Sequence, residues 1–137
     1  MIVAGVDGSE TSLRARAYAW GLARRNGSRL VMVYVKPLVS LSSITTGGAA
    51  LMRQTSEEIA RELRTQVEDA LKQGAPPIAW ELATEEGDAA TGLACAADAV
   101  RADAVVVGAS AQAGHRLVGS VAVKLVRMGR WPVTVVP

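Results

Sequence analysis

The 137-residue chain has no phenylalanine, one cysteine, one histidine, three tryptophans and two tyrosines. Each shortage excludes something. A single cysteine, Cys95, rules out an internal disulfide. The single histidine, His115, stands in a different segment. The spacing of a metal site is therefore missing, and so is a local thiol–imidazole pair. Cys95 lies among alanines in Leu93-Ala-Cys-Ala-Ala97 and is expected to be a small buried hydrophobe. So few rings leave no stacking platform for single-stranded nucleic acid. An excess of one charge is also lacking. Fifteen basic residues stand against 13 acidic ones, a formal net charge of +2, and the basic residues are scattered. That pattern does not suit a nucleic-acid partner. No apolar stretch approaches membrane-spanning length. Met1-Ile-Val-Ala runs straight into a strand, with no basic n-region. The expectation is a cytoplasmic chain with no membrane partner.

What is present is aliphatic. Half of the residues are hydrophobic, with alanine and valine supplying the core. The length suits one domain, residues 1–137, with one substantial core. No repeat or linker interrupts it. Ile2–Val6 reads as a buried strand. Ser9 then caps a helix carrying Leu13, Ala17, Trp20 and Gly21 at helical spacing and ending at Asn26-Gly27. Leu30–Val35 is a second strand. Residues 38–48 read as a mobile loop. A long helix runs from about Ala49 to Gln73, with Ile59, Leu63, Val67 and Ala70/Leu71 on one face. Ile78–Ala83 is a third strand, followed by the turn Glu85-Glu86-Gly87-Asp88. Asp88 caps a helix that runs to about Arg101, with Leu93, Ala97 and Val100 inward. Ala104–Val107 is a fourth strand. A helix from Gly119 to near Gly129 precedes the last strand, Trp131–Val136. Strict β-α alternation with near-continuous apolar strands predicts a doubly wound, five-stranded parallel sheet with helices on both faces. Its ligand crevice belongs at the carboxyl ends of the strands.

The stretch Gly108–Ser120 points to that crevice. It is a small-residue loop between a buried strand and a helix. A helix start offers unpaired N–H groups and a positive dipole end, and glycine lets an anion approach the backbone. No Gly-Lys-Ser/Thr closes the loop, so it is not a Walker loop.

With Val3–Ser9 and Ser12, Val33-Tyr-Val35, Gly87-Asp88, Ala102–Gly108, Gly119-Ser120-Val121 and Pro132–Val136 in this order, the chain resembles the universal stress protein family over nearly its whole length. The resemblance implies sheet order 3-2-1-4-5 and a homodimer. In one branch of the family it implies bound ATP or a related adenine nucleotide. That branch carries Gly-x2-Gly-x9-Gly-Ser/Thr. Gly108 matches the first glycine, Gly119-Ser120 match the end, and Ala111 stands at the second glycine. The loop is two residues shorter than the family pattern, and Gly114 stands at a different place. Both departures weaken a triphosphate grip. Asp7 and Val35 match positions near the base, Val107-Gly108 the strand end near the ribose, with Val6 and Val121 beside them. The ligand is then ATP, ADP, AMP or cyclic AMP, with Mg accompanying only ATP.

Individual residues admit two roles. Asp7 bonds the base or ribose, or it caps a turn. Ser120 donates to a phosphate, or it caps the last helix. His115 and Arg116 pair with phosphate oxygens, or they are solvated loop charges. Lys36 steers an anion, or it is a surface lysine. Glu57-Glu58 and Glu85-Glu86 read as solvated faces. Ser120, His115 and Asp7 show no nucleophile-elbow pattern, and no catalytic set is identified. Two functions follow. The first is a homodimeric signalling module that binds an adenine nucleotide, orders loops 108–119 and 38–48, and is read by an unidentified protein partner. The second is a nucleotide-free homodimeric interaction protein. A slow ATPase ranks third. The homodimer is expected to pair through strand 131–136, an apolar edge.

Overall fold

The computed structural model describes residues 1–38, 48–110 and 119–137, with the backbone alone at 48–53. Along these residues run β1 (Ile2–Gly5), α1 (Glu10–Asn26), β2 (Leu30–Lys36), α2 (Gly48–Lys72), β3 (Trp80–Glu86), α3 (Ala89–Ala99), β4 (Ala104–Gly108), α4 (Ser120–Met128) and β5 (Val133–Val136). All strand pairs are parallel, in the order β3-β2-β1-β4-β5. This is the doubly wound sheet that the alternation predicts. Of the loop expected at 38–48, residues 39–47 lie outside the described residues.

Successive side chains of a strand point to opposite sheet faces, and here both faces are covered. Ile2, Ala4, Leu30, Met32 and Val106 pack with Ala15 and Ala19 of α1 and Leu63 and Val67 of α2. Val3, Val31, Val33, Val105 and Val107 pack with Leu93 and Ala97 of α3 and Leu125 of α4. Two-sided burial explains why the central strands read as unbroken apolar runs.

Helix α1 differs from the expected face. It buries Ser12, Ala15, Ala19 and Ala23, whereas Leu13, Trp20 and Gly21 are only partly buried and Ala17 is exposed. Small side chains bring the helix axis close to the sheet, and the bulky residues fall to its flanks. Cys95 also departs from expectation, because it is exposed. On α3 the buried set is Ala90, Gly92, Leu93, Ala94, Ala96 and Ala97. Thr91, Cys95 and Asp98, spaced i, i+4, i+7, share the outer side. In α2, Leu63 and Val67 are buried and Ile59 and Leu71 partly so, as the spacing predicts, while Ala70 is exposed.

Some boundaries move. β3 extends through Glu85 and Glu86, which the sequence places in a turn, because its register with β2 runs from Leu30↔Trp80 to Lys36↔Glu86. An edge strand is paired on one side only and accepts glutamates there. Helix α3 stops at Ala99, with Val100 as C-cap and Arg101 left-handed at φ 51°. β5 begins at Val133 rather than Trp131. Pro132 lacks an N–H, though its carbonyl accepts from Val105 N at 2.9 Å. β1 ends at Gly5, and Val6 N still donates to Val33 O at 2.9 Å.

Candidate functional site

β1 lies between β2 and β4, so the chain turns in opposite directions from the centre of the sheet. At that switch point the loops after β1 and β4 part and leave a crevice. A cleft of about 390 Å³ opens there. Eight residues expected at a site line it: Val6, Asp7, Val35, Val107, Gly108, Gly119, Ser120 and Val121. Gly114, His115 and Arg116, together with Ala111, lie outside the described residues.

One wall is apolar, made by Val6, Val35, Val107 and Leu93. The rim beside it is polar. Asp7 Oδ1 accepts from Ser9 N at 2.9 Å. Ser12 Oγ donates to Ser9 O at 2.9 Å and accepts from Asp7 N at 3.3 Å. Ser9 Oγ accepts from Ser12 N at 3.3 Å, which seals the start of α1. Asp7 therefore takes the turn-capping role. An ionised carboxylate offers about four lone-pair sites, so capping leaves it able to accept from a ligand. Partial desolvation pushes the Asp7 carboxyl up. The hydroxyls and amides around it, from Ser9, Ser12 and Asp7 itself, outweigh that, and the group titrates below the ordinary carboxylate value. It is an anion at neutral pH.

The two glycines serve close approach rather than an unusual φ, since neither is among the residues with positive φ. A Cβ on Gly108 would stand 2.6 Å from Thr11 C and 2.8 Å from Ser12 N. The first turn of α1 thus rests directly on the end of β4, and only glycine fits. A Cβ on Gly119 would meet Ser110 Cβ at 3.1 Å and Ser110 N at 3.3 Å.

Helix α4 starts differently from α1. Gly119, at φ −60° and ψ 157°, is its N-cap and has no side-chain cap bond. Ser120 is thus the first helical residue, so of its two expected roles capping of the helix falls to Gly119 instead. The backbone turns from extended to helical one residue earlier, where a Cβ would press on Ser110. Among the described residues no side chain caps the first turn of α4, and Gly119, Ser120 and Val121 line the cleft beside Gly108.

Behind the rim, Asp88 caps α3 by accepting from Thr91 N at 3.1 Å. It also accepts from Lys124 Nζ of α4 at 2.8 Å. With Lys124 and the Thr91 groups donating to it, its carboxyl falls to about 2. Lys36 is not among the lining residues. Residue-by-residue reading does not single out Thr11, Ala89, Leu93, Ala109 and Ser110 as site residues, yet all line the cleft. Two signals point to some of them. Ser110 follows the end of β4 by two residues, and Ala89 follows the Gly87-Asp88 turn. Among the described residues, no group of three or more His, Cys, Asp or Glu could hold a metal ion. Nor is any described helix long and apolar enough to cross a membrane.

The arrangement suits a ligand with a flat apolar part, hydroxyls and an anionic end. The model of the universal stress protein family matches residues 1–137. Universal stress protein UspA from Lactobacillus plantarum has the same fold, with a TM-score of 0.78 at 18% identity over 99% of this chain and 96% of that one. A universal stress protein in complex with cAMP is 26% identical, with a TM-score of 0.70 over 99% of this chain and 95% of that one. The universal stress protein from Archaeoglobus fulgidus in complex with dAMP is 22% identical, with a TM-score of 0.61 over 99% and 96%. Comparison with curated proteins finds no match.

Proposed function

Because this chain belongs to the universal stress protein family, we propose that the cleft binds an adenine nucleotide and prefers AMP, cyclic AMP or ADP to ATP. The observation that carries the reading is the uncapped start of α4 at Gly119, open to the cleft beside Gly108. A phosphate there would accept from backbone N–H groups at the positive end of a helix dipole. The adenine would lie against Val6, Val35, Val107 and Leu93, and Asp7 would accept from the base or ribose. The volume, about 390 Å³, falls in the range of about 300–1,000 Å³ usual for small-molecule sites. Related proteins bound to cAMP and to dAMP support the ligand class. The preference against ATP rests on the count of residues between Gly108 and Gly119, two fewer than the family pattern, and on Ala111 at the second glycine. Without ATP, no Mg is called for.

The direct test is to denature purified protein, separate any released adenine nucleotide by chromatography, and titrate stripped protein with ATP, ADP, AMP and cyclic AMP by calorimetry. The reading requires tighter binding of AMP, ADP or cyclic AMP than of ATP. Low-micromolar binding with ATP preferred would overturn the preference. No heat and no released nucleotide would favour the nucleotide-free interaction protein.

The same reading includes a homodimer through β5. That strand lies at the sheet edge and carries no charge along Val133-Thr-Val-Val136. β4 bonds the Pro132 and Val136 carbonyls, so the odd-numbered positions Val133 and Val135 turn their N–H and C=O groups outward, ready for a second copy. The side chains of Val133 and Val135 pack against the α3–α4 core of their own chain. Val135→Asp would therefore test folding, and Thr134→Lys, a charge on the edge, tests assembly. Sedimentation of the wild type as a monomer at high concentration would refute the dimer. A partner protein, of unspecified identity, would read the nucleotide-bound state.

A further inference from the structure

A second cleft, of about 230 Å³, lies between α1 and α2, lined by Arg16, Ala17, Trp20, Val67, Ala70 and Ala75. It shares no lining residue with the first. Ala17 and Ala70 are exposed on the two helices. Their short side chains leave the slot open above Val67, which is buried. The Trp20 ring is held in place, because its Nε1 donates to Pro76 O at 3.0 Å.

Among the described residues of this lining, Arg16 is the one charged group. Its Nη1 donates to Gln66 Oε1 at 3.1 Å. Gln66 Nε2 in turn donates to Glu62 Oε1 at 3.2 Å, which fixes the amide. The guanidinium is thus oriented by a neutral partner. None of the ion pairs among the described residues includes it. Burial lowers its pKa, and no neighbouring carboxylate offsets that. An arginine keeps its charge in proteins and carries five N–H donors in a fork matched to a carboxylate. A partly desolvated guanidinium at an apolar slot therefore lacks an anion.

We propose that this slot binds a small aromatic monocarboxylate, with the carboxylate on Arg16 and the ring against Trp20 and Val67. The size fits. An apolar cavity of about 150 Å³ takes a benzene ring, and 230 Å³ adds room for a short acid arm. Alanine methyls and an indole ring suit a flat apolar ligand, and aromatic pairs add to what burial alone gives. A single guanidinium balances the one charge of a carboxylate and can pair with it bidentately.

Phenylacetate is the probe, titrated into the full chain by ligand-observed NMR, with benzyl alcohol as the uncharged control. Phenylacetate is expected to bind, with benzyl alcohol about tenfold weaker or more. Arg16→Gln should lower phenylacetate affinity about tenfold. Ala70→Leu, at an exposed helix position, should fill the slot and abolish binding. Circular dichroism and denaturation midpoints should stay at wild-type values for both variants. Excess AMP should leave phenylacetate bound, since the clefts are separate. No phenylacetate binding, equal binding of benzyl alcohol, wild-type affinity in both folded variants, or displacement by AMP would each overturn the proposal.

Discussion

Helices α1 and α3 begin with a side-chain cap, Ser9 on the Ser12 amide and Asp88 on the Thr91 amide, whereas α4 begins at Gly119 with none. All three follow parallel strands, so their starts face the same rim of the sheet. A cap satisfies N–H groups that are otherwise unpaired, and a serine or aspartate in that role adds about 0.5–2 kcal/mol of stability. At α4 that gain is absent. The glycine there fits against Ser110 and leaves the first-turn amides to the cleft. Two sealed starts therefore brace the site, and on the proposed reading the unsealed one is where an anion would meet its donors. The bracing is literal. α1 rests on β4 through Gly108, and Asp88 at the head of α3 holds Lys124 of α4.

The largest expected effect breaks the first brace. In Gly108→Val the new Cβ would fall 2.6 Å from the Thr11 carbonyl carbon. The obstacle is helix backbone, which does not swing aside as a side chain does. Overpacking of a tight core costs about 1–3 kcal/mol, and the upper end is expected here, read as a lower midpoint in chemical denaturation. A wild-type midpoint would mean that α1 is not seated on β4. Next comes the open start itself. Gly119→Val keeps an ordinary φ of −60°, so the chain should fold, pressing only on Ser110. The isopropyl group would crowd the phosphate approach, and affinity for AMP or cyclic AMP should fall about tenfold or more. Unchanged calorimetric affinity in a folded variant would place the anion elsewhere.

These two glycines also mark where sequence reading succeeds and where it stops. Both are conspicuous in the sequence at a strand end and a helix start, and both do line the cleft. The reason for Gly108 is hidden, because its contact with Thr11 and Ser12 joins residues about a hundred positions apart. The β-α alternation and the caps at Ser9 and Asp88 were legible because they rest on local patterns: apolar strands, small polar cap residues, left-handed Gly27 and Gly129; the sheet order itself came from the family resemblance. β3 was legible only in part. The register with β2, not its own composition, carries Glu85 and Glu86 into the strand. The α1 face was misread for a related reason. Hydrophobic size points to Leu13 and Trp20, whereas the close helix–sheet approach selects alanines. Leu93 entered the site unannounced because α3 crosses over the valines of β2 and β4 in three dimensions only.

A smaller effect concerns the sealed start of α1. Ser9→Ala removes the acceptor for Ser12 N and should cost about 1 kcal/mol of folding stability. Asp7 N still reaches Ser12 Oγ, so the loop should keep its course. A denaturation series with Ser9→Ala and Ser9→Gly separates the two contributions. Glycine is itself a tolerated cap and should lose only a few tenths of a kcal/mol. Equal losses in both variants would assign the effect to something other than capping.

The smallest effect is a pH dependence at the second sealed start. Asp88 is exposed, so its contribution is modest and screened by salt. Its carboxyl sits at about 2 in the folded chain, against 3.8 ordinarily, because Lys124 and the Thr91 amide and hydroxyl stabilise the charged form. Between those two values the unfolded chain binds more protons than the folded one, so stability rises with pH across that window. The contribution is complete above the ordinary value and is lost as pH falls through about 2. Asp7, whose carboxyl is also lowered, adds to the same acid limb. The two are separable by substitution. Asp88→Asn should flatten part of the acid limb and make stability less sensitive to Lys124→Met than it is in the wild type. An Asp7→Asn background should leave the Asp88–Lys124 coupling intact. Denaturation midpoints measured from pH 2 to pH 6 at low and at high salt read both. If Lys124→Met shifts the acid limb equally with and without Asp88, the ion pair does not join α3 to α4 in solution, and the brace behind the open helix start is made by packing alone.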